Sequence, residues 1–261
     1  MSKFLIDQTF ESLRENDDKA FIAYIMAGDG GLDQLKDQIL TLEDSGVSIV
    51  ELGIPFSDPV ADGPAIQNAG RRALDRYVTL EAVLKTLKEI KAEISIPVVI
   101  MSYANPILRL GREKFAAMAH DGGAAGVIVP DVPFEEEPEF GAPLAKYDIA
   151  MIRFITLTSS EERIREIADG AEGFIYAVTV NGTTGVRDDF GKSLYDHLDR
   201  VRQISDTPVC AGFGISTGAQ AEALGTHSDG VIVGSKIVSL LHEGRTEEIK
   251  EIIPDKKHQK I

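Results

Sequence analysis

The chain has 261 residues, 43% of them hydrophobic, with a formal charge of −15 at pH 7 and a single cysteine. That length suits one large α/β domain or two small ones, and the acidic balance disfavours nucleic acid and anionic membrane surfaces, which require cationic patches. One cysteine excludes an intrachain disulfide and fits a reducing cytosol.

In chain order, M-S-K-F-L-I-D-Q-T-F lacks the apolar core and cleavage site of a signal peptide, and a first helix is expected over roughly Ile6 to Arg14. Short β-branched runs then recur at Phe21 to Ala27, Ser48 to Gly53, Pro97 to Tyr103, Gly126 to Pro130, Ala150 to Thr156, Gly173 to Val180, Pro208 to Gly214 and Gly230 to Gly234. Between them lie amphipathic stretches such as T-L-E-A-V-L-K-T-L-K-E-I-K, with apolar residues at i, i+3, i+4 and capping Ser, Thr or Asp at their starts. Strict βα alternation predicts an α/β fold: a single-domain (β/α)8 TIM barrel over residues 1–261 with an extra N-terminal helix. An open doubly wound sheet would put its Gly-rich turn after the first strand, whereas the glycines here concentrate late. No apolar run approaches the ~18 residues that span a bilayer, so a cytoplasmic protein without membrane association is expected.

Within the second strand, Ile49, Glu51 and Gly53 share one face and Val50 and Leu52 the other, which points Glu51 into the sheet interior. An unpaired buried carboxylate costs several kcal/mol, so a fold keeps one only if it is paired or used. Among the expected strands only Ala150 to Thr156 carries a cation, Arg153, which leaves little to pair with Glu51. Asp62 follows in the next βα loop, at the strand ends where barrels of this kind hold their active sites. Its A-D-G-P context also reads as an ordinary turn or helix cap.

Glycines at the ends of the last three strands, Gly182 to Gly185, Gly212 to Gly214 and Gly234-Ser235, suit an anion held by backbone N–H groups and a helix N-terminus, a site that needs no lysine. His120, His197, His227, His242 and His258 show no ligand-like spacing, and no metal is expected. Cys210, inside a strand, reads as core, and the acidic runs at Glu135 to Glu137 and Glu247-Glu248 read as solvated surface.

E-L-G-I-P-F-S-D-P-V-A-D-G-P-A-I-Q, with the early F-I-A-Y-I-M-A-G-D and the late G-F-G-I and V-G-S-K-I-V, resembles the tryptophan synthase α subunit nearly end to end. The resemblance implies retro-aldol cleavage of indole-3-glycerol phosphate to indole and glyceraldehyde 3-phosphate. It also implies a β-subunit partner in an α2β2 heterotetramer, with pyridoxal phosphate carried by that partner and no cofactor in this chain. Carried onto these residues, Glu51 shuttles protons between indole C3 and the adjacent hydroxyl, Asp62 hydrogen-bonds the indole N–H, and Tyr176 supplies a supporting hydroxyl. The indole slot falls to Phe21, Ile66, Ile100, Ile128, Phe213 and Ile232. The phosphate falls to Thr184, Gly185, Gly214, Gly234 and Ser235.

Many relatives carry an Arg just before the glycine that opens the sixth loop, where this chain has Val180, with Arg187 downstream. The polar stretch from Asn181 to Ser193 still suits a lid over the site. Pro55, Phe56, Ser57, Asp58 and Pro59, with Asn105 and Pro106 at the next strand mouth, form apolar, Pro-stiffened loops suited to docking the β partner. Two other readings remain at this stage: another phosphate-binding barrel with a Lys or Cys at its strand ends, and a non-catalytic activator of another subunit.

Overall fold

The computed structural model describes residues 2–179, 191–212 and 214–254. Nine parallel strand segments form one sheet: β1 (Ala20–Met26), β2 (Ile49–Gly53), β3 (Val98–Met101), β4 (Ala124–Ile128), β5 (Ala150–Met151), β6 (Arg153–Thr156), β7 (Ile175–Val178), β8 (Val209–Gly212) and β9 (Gly230–Val233). Their spatial order is β5-β4-β3-β2-β1-β9-β8-β7-β6. The two outermost segments are consecutive in the chain, so the backbone at Ile152 closes the ring into a barrel. The expected continuous strand from Ala150 to Thr156 is thereby corrected. Its first half pairs with β4 (Gly126 with Ala150) and its second half with β7 (Arg153 with Ile175), and Ile152 keeps one bond to Val127 O at 2.9 Å during the handover.

Every position of β1, β2, β3 and β4 is buried, as a parallel sheet covered on both faces requires. Such strands carry no inside–outside hydropathy contrast. Their outer faces are covered by helices whose apolar residues recur with helical period. In Leu80–Ile90, for example, Thr79 accepts from Ala82 N–H as N-cap, and Leu80, Val83, Leu84 and Leu87 are buried. The extra helix, Phe4–Glu15, buries Ile6 and Phe10, with the Phe10 ring 6.2 Å from that of Phe174. Among the described residues no helix is long and apolar enough to cross a membrane.

One surface expectation fails. Glu137 is not solvated: Arg153 donates to both its carboxylate oxygens at 2.7 and 2.8 Å, with both side chains largely covered. The cation expected on the fifth strand thus serves the helix layer. It is spent away from Glu51.

Candidate active site

Glu51 lies on β2 at the level where the parallel register sets Tyr24 of β1 on one side and Val99 of β3 on the other. Two residues on, Gly53 pairs with Met26 and Met101, and Met101 pairs with Ile128. The same inward rows, continued round the barrel, bring Ile232, Phe154 and Tyr176 to one cavity of about 310 Å³ at the C-terminal strand ends, with Glu51 and Asp62 in its wall. That volume suits a small organic molecule, and the lining is mainly apolar with few polar groups.

Register also corrects two expected wall residues. Phe21 pairs with Val231 and lies an odd number of residues from Tyr24, so it falls on the opposite, helix-facing side of β1. Ile100 pairs with Leu52, which puts it on the far side of β3 from Glu51. Tyr24 and Met101 line the cavity in their stead. Nothing in runs that are apolar on both faces reveals this parity. Ile66, Ile128 and Ile232 do line the cavity.

Glu51 is 3% exposed, and its Oε2 has no hydrogen-bond partner. Burial, reinforced by the negative charge of Asp62, pushes its carboxyl up to about 8. Asp62 sits just ahead of the helix Pro64–Leu74, but Gly63 is the N-cap and Pro64 opens the helix. The Asp62 carboxylate instead accepts from the Tyr103 hydroxyl at 3.1 Å, and that hydroxyl accepts from Ala61 N–H at 3.0 Å. Burial raises Asp62 to about 6, with the Tyr103 bond holding it down. The Tyr103 ring packs on Phe56 at 5.2 Å, so one tyrosine ties the loop, the carboxylate and the neighbouring strand end together. Its place at the end of the expected strand Pro97 to Tyr103 was readable; its bond to Asp62, 41 residues away, was not.

At the other end of the cavity, Gly214 has φ +81, a conformation that strains any residue with a Cβ. Gly234 and Ser235 open the helix Ser235–His242. Lys236 and Ser239 of that helix line the same space. Thr184, Gly185 and Phe213, with Val180 and Arg187, lie outside the described residues. Among the described residues no group of three or more His, Cys, Asp or Glu is arranged to hold a metal.

Of the docking residues, Pro55 is buried, which removes it from the surface on which it was expected. Ser57 and Asp58 are exposed, and Phe56, Pro59 and Val60 wall a shallow groove against Gln67, Arg71 and Leu74. Asn105 and Pro106 form the first turn of a helix whose Ile107 turns inward and whose Leu108 is 49% exposed.

A model of the family described as tryptophan synthase alpha chain matches residues 10–260. The tryptophan synthase alpha chain of Bacillus cereus is 50% identical over 239 residues, covering 92% of this chain and 93% of that one. Among solved structures, Mycobacterium tuberculosis tryptophan synthase superposes with a TM-score of 0.87 at 32% identity, over 95% of this chain and 96% of that one. The tryptophan synthase alpha chain of Legionella pneumophila gives 0.84 at 32% identity, over 95% and 90%. Sequence and fold agree over nearly the whole length, and the chain belongs to the tryptophan synthase alpha chain family.

Proposed function

We propose that this lyase of tryptophan biosynthesis, a single cytoplasmic barrel domain, cleaves indole-3-glycerol phosphate to indole and glyceraldehyde 3-phosphate with Glu51 and Asp62 as its acid/base carboxylates. The observation that carries the assignment is the pairing of a buried, unpartnered carboxyl at about 8 with a second at about 6 in one apolar cavity. Two like groups with environments that push them apart divide the acid and base roles.

At neutral pH Glu51 is mostly protonated and can deliver its proton to indole C3. Asp62, mostly ionised, accepts a hydrogen bond from the ring N–H and stabilises the indoleninium that forms. The Glu51 carboxylate then takes the proton of the hydroxyl next to the ring. The O–H electron pair becomes the new C=O, the C–C bond pair returns to the ring, and Glu51 is again an acid. Tyr176, on the inward row of β7, supports the site as a neutral hydroxyl, since burial and the two carboxylates raise its pKa well above the ordinary value. Ile66, Ile128, Phe213 and Ile232 hold the indole, and Thr184, Gly185, Gly214, Gly234 and Ser235 the phosphate.

The chain needs no cofactor of its own in this reading. Its partner is a β subunit carrying pyridoxal phosphate, in an α2β2 assembly, met by Phe56, Ser57, Asp58 and Pro59 with Asn105 and Pro106. The solved tryptophan synthase of M. tuberculosis, the whole enzyme by its name, supports a partnership of this kind. Indole release from indole-3-glycerol phosphate, assayed with and without β subunit, tests the reading. Release by the chain, raised by the partner, is expected; no release in either condition overturns it.

A further inference from the structure

Two polar atoms of the cavity wall are buried without a hydrogen-bond partner: Glu51 Oε2 and the hydroxyl of Tyr24. The chemistry above uses the first and leaves the second idle. Tyr24 is 4% exposed and is the β1 neighbour of Glu51 in register, so both side chains rise from one layer of the interior. Its ring leans along the strand until the hydroxyl covers Gly53, the next inward position on β2, where a Cβ would overlap it. A ring that only filled this space would carry no hydroxyl, because an unbonded buried O–H is a net cost that phenylalanine avoids.

Burial and the negative charges of Asp62 and Glu51 raise the Tyr24 pKa well above its ordinary value, so the phenol keeps its proton and is a donor. Once Glu51 has delivered its proton to the ring, a single ligand atom that satisfies both orphans must accept from Tyr24 and donate to the Glu51 carboxylate. An alcohol oxygen does both; a carbonyl cannot donate, and an indole N–H cannot accept.

We propose that Tyr24 is a further catalytic residue of this site, its hydroxyl donating to the substrate alcohol oxygen from which Glu51 removes the proton. The assignment rests on the retro-aldol reading. During the step the O–H proton passes to Glu51, the O–H electron pair becomes the C=O bond, and the C–C pair moves into the ring. Tyr24 keeps its own proton throughout. Its bond to the oxygen strengthens as charge develops there, which lowers the barrier more than it favours bound substrate.

Tyr24→Phe, which keeps the ring over Gly53, tests this. The expected result is a fall in kcat of roughly 10- to 100-fold, the scale of a lost oxyanion donor, with KM changed far less. Tm should be equal to or above that of the unaltered protein, since the variant removes an unbonded buried hydroxyl. A substrate analogue with an unsubstituted propyl phosphate chain on indole C3 lacks the alcohol, and should bind the two proteins equally. A kcat within about twofold of the parent overturns the proposal. So does an equal loss of affinity for the deoxy analogue, which would mean that the ring had merely shifted. Glu51→Gln run in parallel separates the failures: an inactive parent protein sinks the reaction, a fully active Glu51→Gln sinks the proton transfer by Glu51 on which the proposal rests, and full activity in Tyr24→Phe alone sinks only the role of Tyr24.

Discussion

Two buried carboxylates of this barrel, Asp29 and Glu51, meet the cost of burial in opposite ways. Asp29, in the loop after β1, is 9% exposed, and Arg72 donates to each of its oxygens at 2.7 Å. Glu51, on the neighbouring strand, is 3% exposed, and its Oε2 has no partner among the described residues. Asp29 therefore joins the first loop to the helix Pro64–Leu74, while Glu51 keeps its proton into the neutral range. Burial by itself does not mark a reactive acid. The mark is burial without compensation, at a point where a ligand can supply what is missing.

The contrast breaks most sharply if Glu51 is neutralised. Glu51→Gln should cut indole formation by at least roughly 10², with Asp62→Asn close behind, because each removes a proton-transfer or charge-stabilising group. Stability should move the other way. The folded pKa of Glu51, about 8, lies above its ordinary 4.5, so the folded state holds a proton that the unfolded chain releases in between. The resulting stabilisation is complete below pH 4.5 and disappears as pH rises to about 8, a difference on the order of 5 kcal/mol. Melting curves at pH 5 and pH 9 should therefore diverge less for Glu51→Gln than for the parent, and identical pH dependence would show that Glu51 is not buried as an acid.

At the compensated carboxylate the effect should fall on stability instead. Arg72→Ala leaves Asp29 buried without its cation, with the His242 ring still 4.0 Å away; the cost of 3–5 kcal/mol for a fully covered pair is reduced to about 2 by solvent at the one-third-exposed arginine. Denaturant midpoints should drop accordingly, and adding Asp29→Asn should restore most of the loss. A smaller change tests the far end of the cavity. Gly214→Val should raise KM for the phosphorylated substrate by about tenfold or more, and leave indoleglycerol itself nearly unaffected. Equal losses for both compounds would remove that glycine from the phosphate site.

The smallest effect belongs to Tyr103→Phe. Without its hydroxyl the bond that holds Asp62 down is lost, so Asp62 protonates at higher pH. Turnover at pH 6.5 should fall by roughly threefold or more, with the gap closing by pH 8 if Asp62 works ionised. A loss independent of pH would instead assign Tyr103 to holding the loop through Ala61.

By itself the sequence determined the alternation of strands and helices, the carboxylate set in an apolar strand, and the glycines at the last strand ends. These are signals of local period and composition, carried within a dozen residues. Only the tertiary structure decided which face of each strand looks inward. Phe21 and Tyr24, or Ile100 and Met101, are equally apolar, and parity comes from pairing with strands distant in the chain. The division of Ala150 to Thr156 at Ile152 has the same origin, since it exists only because the ring must close. So do the partners of the acids. Arg72 reaches Asp29 across 43 residues and Tyr103 reaches Asp62 across 41, while Glu51 is left without either, a difference of three-dimensional distance that no local pattern encodes.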